Sequence, residues 1–168
     1  PLDRKPQGIG SAFSGGVDSL FTLWKHLPEK QPDAGFQITH SIFINGFDIL
    51  KGEDQHYKFL CEKYEQALAE IGVNLIPLNT NVVSITHKRL LLNTFYGTII
   101  VATGMALSGG LRRFFAPSSG DYTMLSKSHY TADPLLDHML STDTFDVVHH
   151  GSTHSRVEKV EEIANWEI

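Results

Sequence analysis

Apolar residues along this chain fall into short runs and spaced stripes that alternate. Ile9 to Phe13 is the first run, of a length that suits a buried strand. Leu20, Phe21, Leu23, Trp24 and Leu27 follow at helical spacing and predict an amphipathic helix. A loop from Pro28 to Gly35 precedes a second apolar run, Thr39 to Ile44. Glu53 to Ile71 carries the cleanest helical pattern, with Tyr57, Leu60, Cys61, Tyr64, Leu68 and Ile71 on one stripe and Gly72 as a stop. Val73 to Leu78 predicts a third strand, closed by Asn79-Thr80-Asn81. From Asn93 to Leu107 a helix is expected, with Gly97, Ala102, Gly104 and Ala106 allowing close packing on a sheet.

Ser108-Gly109-Gly110 reads as the stop of that helix. Phe114 to Ala116 predicts a fourth strand, Ser126 to Asp143 an irregular polar stretch, and Phe145 to His149 a fifth strand. Ser155 to Trp166 closes the pattern as a helix, with Ser155 and Glu158 spaced for a capping box. Strands alternating with helices predict an α/β fold, an open five-stranded parallel sheet with helices on both faces.

Composition narrows the class. The chain has 168 residues, 41% hydrophobic and 20% charged, enough for one globular domain with a sizeable core. A formal charge of −5 without a basic run gives no reason to expect nucleic-acid binding. No apolar stretch approaches a membrane span, and Pro1-Leu2-Asp3-Arg4-Lys5 lacks a secretory apolar region. A cytoplasmic protein is expected. The single cysteine, Cys61, excludes an internal disulfide and a CxxC site. Its place on the apolar stripe marks it as a buried structural thiol. With no initiator Met and a stop directly after a helical pattern, residues 1–168 are expected to be one domain from a longer chain.

The chemistry concentrates between the first strand and the first helix, at Ser14-Gly15-Gly16-Val17-Asp18-Ser19. A helix start offers free N–H groups and partial positive charge. Glycines let the backbone take positive φ and approach an anion closely, and two serines add hydroxyls. This is a phosphate cradle. A Walker loop would need a Lys after the glycines, and a dinucleotide fingerprint would need a third glycine where Phe13 stands.

The string S-G-G-V-D-S resembles the signature of the PP-loop ATP pyrophosphatases, the superfamily of GMP synthetase, NAD synthetase, asparagine synthetase and several tRNA-modifying enzymes. Further spans resemble a poorly characterised subset of it: Gly46-Phe47-Asp48-Ile49, Pro117-Ser118-Ser119, Asp133-Pro134-Leu135-Leu136-Asp137 and Ser155-Arg156-Val157-Glu158-Lys159. A cysteine-rich segment typical of that subset after the last helix is lacking here. The resemblance implies the strand order 3-2-1-4-5 and cleavage of ATP between its α- and β-phosphates, with AMP passed to a substrate oxygen. It implies that Ser14, Gly15, Gly16, Val17, Asp18 and Ser19 bind ATP, and that Ile42, Phe43 and Ile44 flank the adenine.

Asp18 is out of place beside phosphates unless it holds Mg²⁺, which bridges phosphates through one or two carboxylates and waters. Its other reading is an acid favouring a helix N-terminus. Arg156 and Lys159, one turn apart on the last helix, open from the same sheet edge and could bind phosphate, or could be ordinary surface charge. Thr131 to Asp137, with Lys127, Ser128 and His129 before it, is either a substrate-lining loop or a solvated one. His149, His150 and His154 invite a zinc reading, but neighbouring strand residues point to opposite faces.

The expected function is ATP- and Mg²⁺-dependent adenylation of a carbonyl or carboxylate oxygen, then attack by an amine, ammonia or a sulfur nucleophile. Asp18, Arg156 and Lys159 are the candidate catalytic residues, and the expected partners are ATP and a small-molecule acceptor. A homodimer is the candidate assembly. A non-catalytic nucleotide-binding module and a sulfur-transfer enzyme acting on RNA are the rival readings.

Overall fold

The computed structural model describes residues 7–47, 49, 53–82, 89–125 and 133–167. Five strands form one sheet: β1 (Gly8–Phe13), β2 (His40–Asn45), β3 (Asn74–Asn79), β4 (Leu111–Pro117) and β5 (Asp146–His150). Their order is β3-β2-β1-β4-β5, every neighbouring pair is parallel, and the expected topology is the one found. The helices are α1 (Val17–Lys25), α2 (Asp54–Glu70), α3 (Arg89–Met105), the one-turn α4 (Tyr122–Leu125) and α5 (Arg156–Ile163). A 3₁₀ turn spans Asp137–Leu140.

Alternation along the strands divides the core between the two faces. Ile9, Phe13 and Phe115 pack with Leu23 of α1, Leu27 just after it and Leu68 of α2 on one side. Ala12, Ile42, Phe114, Ala116 and Val147 pack with Val101 of α3 on the other. Each fully buried large side chain contributes roughly 1.5–3 kcal/mol. Gly104 lets α3 lie flat on β4, because a Cβ there would fall 2.6 Å from the Phe114 ring. Gly97 is buried as expected, whereas Ala102 and Ala106 face outward. No helix among the described residues is long and apolar enough to cross a membrane.

Strand boundaries differ from the sequence pattern by one residue in β1, β2, β3 and β5, and β4 begins three residues earlier. β4 begins at Leu111, because Arg113 is satisfied by its neighbours in space. Its Nε donates to Asp146 of β5 at 2.7 Å, Nη1 donates to the Gly35 carbonyl, and the guanidinium lies 3.7 Å from the Phe36 ring centre. β5 is correspondingly displaced to Asp146–His150, in register with β4 from Arg113 to Pro117. Cys61 is half-buried rather than buried, beside the small cluster of Phe43, Ile49 and Tyr57.

The last helix stops at Ile163, short of Trp166, whose ring packs on the core. Its start is as predicted: Ser155 Oγ accepts from the Glu158 N–H, and the Glu158 carboxylate accepts from the Ser155 N–H at 2.7 Å.

Candidate functional site

The chain runs from β1 outward to β2 and β3, then returns across the sheet to β4 and β5. Reversal beside β1 leaves a crevice at the carboxyl ends of the strands, where ligands of open α/β sheets bind. A pocket of about 500 Å³ lies there. Phe13 and Ser14 form its base; Gly16, Asp18 and Ser19 bring the start of α1 to it. Phe43, Ile44 and Phe47 from the β2 end, with Tyr96 and Ile100 of α3, make an apolar wall. Pro117 and Ser119 after β4, and Arg156 of α5, complete the opposite rim.

The turn itself is tied by its own serines. Ser19, buried at 4% exposure, donates to the Gly16 carbonyl at 2.9 Å and accepts from the Ser14 N–H at 3.3 Å. Ser14 Oγ accepts from the Gly16 N–H at 3.3 Å. Of the two glycines only Gly15 has positive φ, at 74°; Gly16 is the N-cap of α1 with φ −82°, which any residue can adopt. Gly15 faces away from the pocket, and a Cβ there would strike the Tyr64 hydroxyl. The first turn of α1 thus points its N–H groups toward the pocket from a rigid base. Val17 opens that helix with a half-buried side chain that does not line the pocket.

Asp18 meets both cations singled out from the sequence, and they serve it differently. Lys159 is 1% exposed; its ammonium donates to Asp18 Oδ1 at 2.9 Å and to the Ser118 carbonyl at 2.6 Å. Arg156 is two-thirds exposed on the rim, with Nη1 4.0 Å from Asp18 Oδ2. Lys159 therefore stands behind Asp18, outside the pocket lining, and Arg156 faces the opening. Of the three β2 residues, Phe43 and Ile44 line the pocket, whereas Ile42 is fully buried in the core under α3.

The three histidines do not converge. His149 Nδ1 lies 2.8 Å from the buried Asp137 carboxylate, and His150 Nδ1 lies 3.0 Å from Thr22 Oγ1 on the other face. His154 pairs with Glu162 at 3.1 Å. Among the described residues no group of three or more His, Cys, Asp or Glu is placed to hold a metal ion. Asp137 is neither solvated nor in the pocket lining, being 2% exposed. Lys127, Ser128, His129 and Thr131, like Asp48, lie outside the described residues.

His26 and His150 meet edge to face beside Phe115, their ring centres 4.6 Å apart. Burial pulls the imidazole of His26 down to about 4, outweighing the hydrogen bond from its Nδ1–H to the Phe36 carbonyl. Burial, reinforced by His26 and by Lys159, pulls His150 down to about 3.

Pattern reading named Ser118 within a resembling span but did not find its bond to Ser152, which joins the loops after β4 and β5, or the Asp137–His149 contact. Pro117-Ser118-Ser119 directly follows the predicted fourth strand, and that position was the available signal. Compared with known proteins, the chain matches no family model and no curated sequence.

Proposed function

We propose that this chain is an ATP-dependent adenylating enzyme of the PP-loop ATP pyrophosphatase kind. One observation carries the reading: the Ser14–Ser19 turn opens directly into the pocket at the point where the strand order reverses. A volume of about 500 Å³ is in the range of small-ligand sites. The apolar wall of Phe43, Ile44 and Phe47 suits a purine, and the α1 N-terminus suits its phosphates.

Mg²⁺ fits this arrangement as an ion held mainly by phosphates and water, with Asp18 as its one carboxylate. Bound there, it would offset the charge that develops on the departing pyrophosphate. In the proposed reaction an acceptor carbonyl or carboxylate oxygen attacks the α-phosphorus. The bond from that phosphorus to the bridging oxygen breaks, and pyrophosphate leaves with its electron pair. An amine, ammonia or sulfur nucleophile then displaces AMP from the acceptor. The chain contributes positioning and charge: Arg156 at the rim attracts the phosphates, and Lys159 fixes the direction of Asp18. No covalent intermediate on the protein is required.

Calorimetric titration with ATP and Mg²⁺, against GTP and against Asp18→Asn, tests the reading. Selective ATP binding that weakens in the variant is the expected result. Absence of ATP binding by the folded chain overturns it. Binding without pyrophosphate release across carboxylate and carbonyl acceptors would leave a nucleotide-binding module in its place.

A further inference from the structure

Beside the pocket runs a buried chain of hydrogen bonds. Asp137 Oδ2 lies 2.8 Å from His149 Nδ1, and His149 Nε2 lies 2.7 Å from Ser152 Oγ. The Ser152 hydroxyl donates to Ser118 Oγ at 2.9 Å, and the Ser118 hydroxyl donates to the Gly120 carbonyl at 2.7 Å. Acid, imidazole and serine in this order have the form of a nucleophilic triad. Two observations oppose that use. Ser152 is 3% exposed, so a substrate does not reach its hydroxyl. Its hydrogen is also committed elsewhere, to Ser118.

Counting donors fixes the direction of the chain. A carbonyl oxygen only accepts, and each hydroxyl has one hydrogen. Ser118 gives its hydrogen to Gly120, Ser152 gives its hydrogen to Ser118, and His149 must therefore donate through Nε2. From His149 onward, every bond runs toward the loop after β4. Apolar side chains of similar volume would fill such a space with equal or greater stability. What a fully satisfied polar chain adds is a single geometry.

The loop it reaches is part of the site. Pro117 and Ser119 line the pocket, and the Ser118 carbonyl between them accepts the Lys159 ammonium that holds Asp18. We propose that Asp137 and His149 are positioning residues, which fix Ser118 through Ser152 and so hold Lys159 against Asp18. The consequence for nucleotide chemistry rests on the adenylation reading; the mechanical link does not.

The test reads Lys159 without any nucleotide. The intact chain is treated with an amine-acetylating reagent, and the rate at each lysine is followed by mass spectrometry. Lys159, buried, should react slowly, and Lys25, a third exposed, should react readily. Ser152→Ala and His149→Leu should each raise the Lys159 rate about tenfold by populating open forms of the loop, with Lys25 unchanged. His149→Gln, whose amide can donate at the position of Nε2, should restore protection. Unchanged Lys159 protection in folded Ser152→Ala overturns the proposal, and that variant suffices should His149→Leu not fold. Failure of the wild-type chain to bind ATP would overturn the adenylation reading alone. If it does bind, Ser152→Ala should weaken ATP·Mg²⁺ by the same order.

Discussion

Lys159 Nζ lies 2.9 Å from Asp18 Oδ1, joining side chains 141 positions apart. The lysine is 1% exposed and the aspartate side chain 18%, so removing either partner strands a charge that water reaches poorly. Lys159→Met should lower unfolding stability by about 3 kcal/mol. Asp18→Asn leaves that ammonium, the more buried of the two charges, without its counter-charge and should cost about 3 kcal/mol or more. Urea denaturation followed by circular dichroism checks both. A loss below about 1 kcal/mol in either variant would refute the pair as a buried one.

Gly15 combines a φ of 74° with a wall formed by Tyr64. Gly15→Ala should cost about 2 kcal/mol or more, part from the left-handed backbone and part from the ring. In a Tyr64→Ala background the penalty should fall to about 1 kcal/mol, the backbone share alone. A double-mutant cycle in urea measures the difference.

Acid should destabilise the fold through His26 and His150. The folded values, about 4 and about 3, lie below the ordinary 6.5. Below pH 6.5 the unfolded chain takes up protons that the folded one does not, so the stability these residues contribute is present above 6.5. It is lost progressively as pH falls toward 4 and then 3. The Nε2 atom of His26 is buried without a hydrogen-bond partner among the described residues, so its protonation adds an unpaired buried donor as well as a charge. Melting temperature should drop from pH 7 to pH 5, and His26→Leu should flatten that slope. An equal slope in the variant would refute the assignment.

Ile42 and Ile44 separate stability from binding. Ile42 is fully buried and away from the pocket lining, so Ile42→Ala should cost about 3 kcal/mol and leave the nucleotide affinity of the folded chain unchanged. Ile44 lines the pocket and is half-buried. Ile44→Ala should cost about 1 kcal/mol of stability and weaken ATP about fivefold. Titration calorimetry below the melting range of each variant decides.

The five alternating strands and the position of the glycine turn were legible because each depends on local pattern: apolar runs, helical stripes, and glycines at a strand end. The order of the strands came only from the family resemblance. The Ser155–Glu158 capping box is local too, and was read correctly. What failed depends on neighbours distant in sequence. Arg112 and Arg113 hid the start of β4, since charge disfavours a buried strand until Asp146, 33 positions on, answers Arg113. Helical spacing placed Arg156 and Lys159 together, yet only the docking of α5 on α1 decides that one faces solvent and the other is buried. Asp137 and His149 looked like members of separate polar segments for the same reason.

The reach of the Lys159–Asp18 contact also sets an order of events during synthesis. A nascent chain shows the Ser14–Ser19 turn while α5 is still inside the ribosome, with Asp18 unanswered by Lys159. Docking of α5 supplies the ammonium and completes the electrostatic balance of the turn. A chain interrupted before Arg156 would keep the glycine turn and the apolar wall, yet present phosphates with an uncompensated carboxylate. On the adenylation reading, such a chain should bind ATP more weakly than the whole one.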